Sequence, residues 1–301
     1  MITCRLKGGL GNQLFQITVT IAYCIQHKVP FIFPYSEMLG ERPTYWDTFF
    51  DKIQMYTTSK HNFPDSDPND VIKFLDSFPK YHEPAFKYNV IPEYNKVMLC
   101  GYFQSYKYIA SSNEHLFDML DIKFKQLSIK TEYIRLFKPT KNVNSSWSMT
   151  DKEMNPKTVS IHFRMDDYKD KQEPHPVLPL DYYTNALAKI SSPCHALVFC
   201  EKEDSELIRG YIEQFRKRFD QITFTKVDDD IPDWKQMILM SCCNVNIIAN
   251  STFSWWGAYL NTSKNKIVLY PDMWFGPSIH ENVSDLFPED WIETACRKID
   301  S

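Results

Sequence analysis

An α/β fold of two Rossmann-like domains with a cleft between them is what this chain predicts, on three observations. Residues 158–270 alternate apolar β-type runs with helical segments, the pattern of a parallel sheet covered on both faces. The N-terminus makes a similar start, with an apolar run at 2–6, a glycine-rich turn and an apolar-periodic helix at 12–26. Between these halves, Pro139-Thr140-Lys141-Asn142-Val143-Asn144-Ser145-Ser146 is polar, opened by proline and without period, as a linker would be. The expected domains are 1–145 and 155–290, followed by a tail at 291–301.

Each element has its own signal. Pro30-Phe31-Ile32-Phe33 is apolar and aromatic, and is expected as the second strand. Residues 35–95 are rich in Pro, Asp, Asn and aromatics, which points to loops and short helices. Val97-Met98-Leu99-Cys100-Gly101-Tyr102 is the next strand, with a helix after it through about residue 120. In the second half, strands are expected at 158–163, 196–200, 221–226, 245–249 and 266–270. Helices are expected at 180–191, 203–219, 233–242 and 254–261. Within 203–219, Leu207, Ile208, Ile212 and Phe215 are spaced to form one apolar face among charged neighbours. There is no internal repeat.

Composition narrows the function. With 43% apolar and 24% charged residues the chain is of soluble globular type, and its 301 residues suffice for one large domain or two ordinary ones. A net charge of −4 supplies no general basic field for nucleic acid or anionic membrane, so any phosphate site must be local. No apolar stretch approaches the ~20 residues of a membrane span. Met1-Ile2-Thr3-Cys4-Arg5 runs straight into the glycine-rich turn, so no signal peptide is expected. The expected location is the cytoplasm, as for soluble proteins of bacterial or viral type. Eight cysteines lie mostly inside apolar runs with no CxxC or zinc spacing, so buried free thiols are expected.

Three motifs carry the chemistry. His162-Phe163-Arg164-Met165-Asp166-Asp167-Tyr168 follows the apolar run at 158–161 and sets an imidazole, an arginine and a carboxylate at a strand end. Alternation along the strand puts His162 and Arg164 on the same side. Asn250-Ser251-Thr252-Phe253-Ser254-Trp255-Trp256 follows the run at 245–249 and opens a helix with hydroxyls and backbone amides. Both are suited to a phosphate beyond the carboxyl ends of a parallel sheet. Gly8-Gly9-Leu10-Gly11-Asn12-Gln13 opens the N-terminal helix. Leu14 stands where a GxGxxG motif needs its last glycine, and no lysine of a P-loop follows. Asn12 and Gln13 nevertheless bring two amides to the helix start, facing the cleft. A nucleotide is the expected ligand.

Taken together, these motifs resemble the α-1,2-fucosyltransferases of glycosyltransferase family 11, with their G-G-L-G-N-Q-x-F-Q opening, central H-x-R-R-x-D-Y and late N-S-x-F-S-W-W. The likeness extends to Gly101-Tyr102-Phe103-Gln104, Met240-Ser241-Cys242, Lys266-Ile267-Val268-Leu269-Tyr270-Pro271 and Trp274-Phe275, from about residue 3 to residue 292. The resemblance implies a GT-B fold and inverting transfer of L-fucose from GDP-β-L-fucose to the 2-hydroxyl of a galactose-containing oligosaccharide. It implies catalytic roles for Arg164, Asp167 and His162. It also implies donor binding by Gly9, Gly11, Asn12, Gln13, Glu201, Asn250, Ser251, Thr252, Phe253 and Ser254. Arg164 would fork onto the two phosphates. Asp167 could orient Arg164, cap the next turn or take the acceptor proton; His162 could hold a loop or contact the nucleotide.

Several points stay open at this level. Glu201 stands where the family has an acidic pair, and could accept from the guanine edge or simply open a helix. Asp167, His162, Glu173 and His175 are all candidate bases, with Asp167 preferred. No metal is expected at Asp228-Asp229-Asp230, since an arginine and helix amides already offset the diphosphate, and no cofactor beyond the donor substrate is implied. Met165 stands where the family has a second arginine, which would remove a cation from the diphosphate unless Lys169 or Lys171 substitutes. Restoring that arginine would then be expected to lower the donor KM. Donors other than GDP-fucose, another linkage, or a non-catalytic glycan- or nucleotide-binding role are the alternatives.

Overall fold

A computed structural model describes residues 1–65, 67–138, 157–190 and 193–298. The linker expected at 139–146 lies outside the described residues. Two compact units are present, one of Met1–Phe124 with Glu281–Glu289, the other of Lys125–His280 with Asp290–Ser301. The first unit thus stops short of residue 145 and takes back a segment from late in the chain.

In the first unit, strand β1 (Ile2–Cys4) leads into helix α1 (Leu10–His27). The helix begins at Leu10 rather than 12, behind Gly9, and stops where Lys28 turns left-handed at φ 55 and donates its N–H to Cys24 O. A short hairpin, β2 (Met38–Leu39) with β3 (Arg42–Pro43), and α2 (Pro68–Asp76) occupy the irregular region. That region also holds β4 (Lys80–His82), a short strand with no apolar run to announce it. β5 (Val97–Cys100) pairs in parallel with both β1 and β4. The strand expected at 30–33 is reduced to two parallel bridges, Ile2 with Phe31 and Phe33 with Thr57. Where one helix was expected to follow β5, there are 3₁₀ turns at 106–108 and 110–112, then α3 (Asn113–Met119). Asp121 at φ 54 separates α3 from α4 (Ile122–Glu132).

The second unit follows the sequence closely. Its elements are β6 (Lys157–His162), α5 (Leu180–Ala188), β7 (Cys194–Phe199), α6 (Ser205–Arg218), β8 (Ile222–Lys226), α7 (Asp233–Ser241), β9 (Val245–Ile247), α8 (Thr252–Tyr259) and β10 (Ile267–Pro271). A further strand, β11 (Ile292–Thr294), lies where a tail was expected and pairs in parallel with β10. The six strands stand in the order β11-β10-β9-β6-β7-β8, all parallel. This is the Rossmann order. The chain builds outward from β6 through β7 to β8, then returns to the other side of β6 for β9, so its switch point lies between β6 and β9.

Burial explains the strand sequences. All six residues of β7 are buried, as a parallel strand covered on both faces requires. One core cluster joins Ile161, Phe163 and Met165 to Tyr182, Tyr183 and Leu187 of α5 and to Ile208, Ile212 and Phe215 of α6. Leu207 does not belong to that face and is 44% exposed. On β9, Asn246 donates to Ser160 Oγ of β6 at 2.7 Å and accepts from Asn261 at 2.9 Å, a buried polar clamp on the two strands that flank the switch point. All eight cysteines are free, and every one but Cys242 is buried.

Met165 belongs to this core, only 7% exposed. Alternation carries Phe163 and Met165 inward, so the side chain at 165 packs against α5 and α6 and an arginine there would have to be buried. Met165→Arg is therefore expected to destabilise the fold by roughly 3 kcal/mol, the cost of an uncompensated buried charge. Met165→Leu should cost less than about 1.5 kcal/mol. Urea unfolding midpoints of the two variants check this.

Candidate active site

The residues that end β6, β7 and β9 meet around Arg164. Its Nη1 donates to Glu201 Oε1, just beyond β7, and its Nη2 donates to Asp167 Oδ1. The second oxygen of Asp167 takes Lys171 Nζ at 3.0 Å. The guanidinium lies 5.1 Å from the centre of the Tyr168 ring, whose other contact is the His175 imidazole, stacked at 5.2 Å. Tyr168 also donates its hydroxyl to Asn250 O at 3.2 Å, which ties the loop after β6 to the loop after β9. Lys169 pairs with the buried Asp204, so both lysines near the loop are engaged by carboxylates.

Three polar atoms here are buried without a hydrogen-bond partner among the described residues. They are His162 Nδ1, Glu201 Oε2 and Asn250 Oδ1. Buried polar groups are nearly always paired, so these three atoms, at the carboxyl ends of β6, β7 and β9, are candidates for ligand contacts. Burial, reinforced by the nearby positive charge of Arg164, lowers the His162 pKa from 6.5 to about 3, which keeps the imidazole neutral at pH 7. Burial also lowers the pKa of His175.

The loop after β9 is built around the start of α8. Ser251 caps the helix by accepting from Phe253 N at 3.3 Å, and Ser254 Oγ accepts from Ala249 N at 3.1 Å. The Asn250 amide donates to Pro176 O at 2.9 Å and Trp274 O at 3.3 Å. Phe253 comes to 5.5 Å from the His162 ring. Trp255 and Trp256 are fully buried and seat the helix. The N-terminus of α8 therefore lies beyond the sheet at its switch point, where the helix dipole favours an anion.

The remaining predicted residues belong to the first unit. Gly8, at φ 80, lets the chain turn, and a Cβ there would come within 2.4 Å of Asn12 Nδ2. Asn12 Oδ1 accepts from Gln104 at 3.0 Å. Gln13 is turned inward, 1% exposed, and donates to Gly8 O at 2.9 Å and Pro43 O at 2.8 Å. Its amide holds the turn beside Gly9 and Gly11 rather than facing outward. Pro176, which accepts from the Asn250 amide, carries no signal of that role in the sequence, whereas Tyr168 and Lys171 fall within or beside the central motif.

Asp229 of the acidic loop is occupied by Ser205 Oγ at 2.7 Å and Lys226 Nζ at 2.6 Å. Among the described residues, no group of three or more His, Cys, Asp or Glu is placed to hold a metal ion. None of their helices is long and apolar enough to cross a membrane.

A Rossmann-order sheet with an arginine and a helix N-terminus at its switch point befits a glycosyltransferase, which passes a sugar from a donor to an acceptor. The chain belongs to glycosyl transferase family 11, whose model matches residues 1–295. It is 28% identical over 330 residues to the O-antigen biosynthesis glycosyltransferase WbnK of Escherichia coli, with 97% of this chain and 99% of the relative covered. It is 26% identical over 309 residues to an alpha-1,2-colitosyltransferase of Escherichia coli, with 97% and 98% covered.

The lowered His162 pKa has a consequence for stability. The unfolded chain binds a proton near pH 6.5 that the folded chain refuses until about pH 3. The neutral histidine is therefore fully compatible with the fold above pH 6.5, and stability falls as pH drops from there toward 3. His162→Gln should flatten that fall, measured as unfolding midpoints of the two proteins between pH 7 and pH 4.

Proposed function

We propose that this chain transfers L-fucose from GDP-β-L-fucose to the 2-hydroxyl of a galactoside, with inversion. The observation that carries the reading is Arg164 at the switch point, with His162 Nδ1, Glu201 Oε2 and Asn250 Oδ1 buried and unpartnered at the ends of the three strands nearest it. A nucleoside diphosphate offers complementary groups. Guanine presents N–H donors for Glu201 Oε2, and the diphosphate presents oxygens for Arg164 and for the N-terminal turn of α8 around Thr252 and Ser254. Asn12, with Gly9 and Gly11, is the further donor contact that the family resemblance implies. The reading carries with it the GT-B arrangement expected from the sequence, with the donor on the second domain and the acceptor on the first.

Arg164 is neutralised by Asp167 and Glu201. A diphosphate competes for the same guanidinium, and its binding releases Asp167. The acceptor 2-hydroxyl then attacks C1 of fucose from the face opposite the phosphate. The new C–O bond forms as the C1–O bond to GDP breaks. Asp167 takes the hydroxyl proton, and GDP leaves with the bonding electron pair, its charge met by Arg164 and the helix amides. A neutral His162 contacts the donor without competing for the anion. The cations in this scheme belong to the protein, so the reaction needs no metal.

A second reading keeps the linkage and changes the sugar. It is favoured by the relative named for alpha-1,2 transfer of colitose rather than fucose. The motifs described above grip the nucleotide and leave the sugar ring to other contacts. Met165, buried in the core, lends no support to a non-catalytic role.

Incubation with GDP-fucose or another GDP-6-deoxysugar and a panel of galactose-terminated oligosaccharides, with the linkage of products assigned by NMR, tests both readings. An α-1,2-fucosylated galactoside, formed equally well in excess EDTA, is the expected outcome. Turnover only from another GDP-sugar would select the second reading. Activity stopped by EDTA and restored by magnesium or manganese would overturn the metal-free scheme.

Arg164→Ala is expected to lower turnover by about 10²–10³ or more and to weaken GDP binding, since it removes the central fixed charge. Arg164→Lys should recover little, because an ammonium cannot fork between two phosphates. Steady-state rates and GDP titrations of both variants decide it.

A further inference from the structure

The first unit has a cavity of about 310 Å³ beyond the carboxyl ends of β1, β4 and β5, lined by Arg5, Lys7, His82, Glu83, Gly101 and Tyr102 among others. Its place follows from topology. β1 lies between the Phe31 bridge and β5, so the chain changes sides of the sheet there, as it does between β6 and β9. The volume suits a single sugar ring with its substituents.

Two features define what it would hold. Arg5 and Lys7 are exposed and have no ion-pair partner among the described residues; Lys7 Nζ instead lies 3.8 Å from the centre of the Tyr102 ring. In a chain of net charge −4, two such cations at one cavity are an anion-seeking surface. Glu83 supplies the opposite chemistry. Its Oε2 accepts from Tyr102 N at 2.7 Å and Phe103 N at 3.0 Å, holding the turn in which Phe103 takes a left-handed φ of 53. A Cβ at Gly101 would lie 2.4 Å from Glu83 Cβ and 2.5 Å from Oε2, so glycine is what lets the carboxylate sit there. Its other oxygen, Oε1, is buried with no hydrogen-bond partner.

We infer that this cavity binds an acidic sugar of the acceptor glycan, with a ring hydroxyl donating to Glu83 Oε1 and a carboxylate or phosphate resting on Arg5 and Lys7. A simple anion would meet the cations but repel Glu83. A neutral sugar would satisfy Glu83 and leave the cations unused. Only a ligand with both groups uses all three side chains. The assignment to an acceptor rests on the transferase reading above; the binding chemistry does not.

The test is a saturation-transfer NMR titration of the full chain with galactose, galacturonic acid and galactose 6-phosphate at low salt, and with inorganic phosphate as competitor. The acidic sugars should bind about tenfold more tightly than galactose. The Arg5→Ala/Lys7→Ala double variant should erase that difference while its GDP affinity stays unchanged. Glu83→Gln, which keeps an oxygen for the two amides of the turn, should weaken binding of all three sugars. The relative affinity for galacturonic acid and the 6-phosphate separates a carboxylate site from a phosphate site. Equal binding of acidic and neutral sugars, an unaltered preference in the double variant, or competition by inorganic phosphate as strong as by the sugar acids would overturn the inference. Sugar binding with this pattern, alongside GDP binding but no transfer from any GDP-sugar, would instead sink the transferase reading.

Discussion

The parallel pairing of β6 with β9 is the constraint on which the second unit depends. These strands are 86 residues apart at Ser160 and Asn246, yet they are joined side chain to side chain by that buried amide as well as through the backbone ladder. Because the chain leaves β6 in one direction and returns to β9 from the other, no crossover helix closes the space between their carboxyl ends. The loops that follow each strand fill it instead. One brings Arg164 and the other brings the start of α8, and Tyr168 binds the two loops together through Asn250 O. A sheet with β9 at its edge would scatter these groups.

Arg164 shows how such a site is kept ready. A guanidinium with no partner in a partly buried cleft would be costly, and one in a permanent ion pair would be inert. Here it is shared between Asp167 and Glu201, with side chains 16–29% exposed. The pairs are wet enough to exchange and ordered enough to fix the fork.

Both units handle a glutamate in a related way. Glu201 follows β7 and Glu83 follows β4; each has one carboxylate oxygen satisfied by the protein and the other buried and open. The satisfied oxygen fixes the rotamer. The open one is then presented in a single direction, which gives hydrogen-bonding specificity without the entropy cost of ordering a free side chain.

What the sequence determined by itself was local. Apolar runs and helical spacing located β6 to β10 and the helices between them within a few residues, because those signals come from neighbours along the chain. The motifs around Arg164 and Ser251 were legible for the same reason. Short edges escaped: β4 and β11 have three residues each and no alternating or continuous apolar run, and their pairing is supplied by β5 and β10. Leu207 lies just outside the buried face of α6, since spacing alone cannot say where that face ends. Only the tertiary structure decided that Met165 points into the core, that Gln13 is consumed by its own turn, and that Arg164 reaches Glu201 across 37 residues of chain. Those outcomes depend on which strands are neighbours, and strand order is set by the packing of the whole sheet rather than by any stretch of sequence within it.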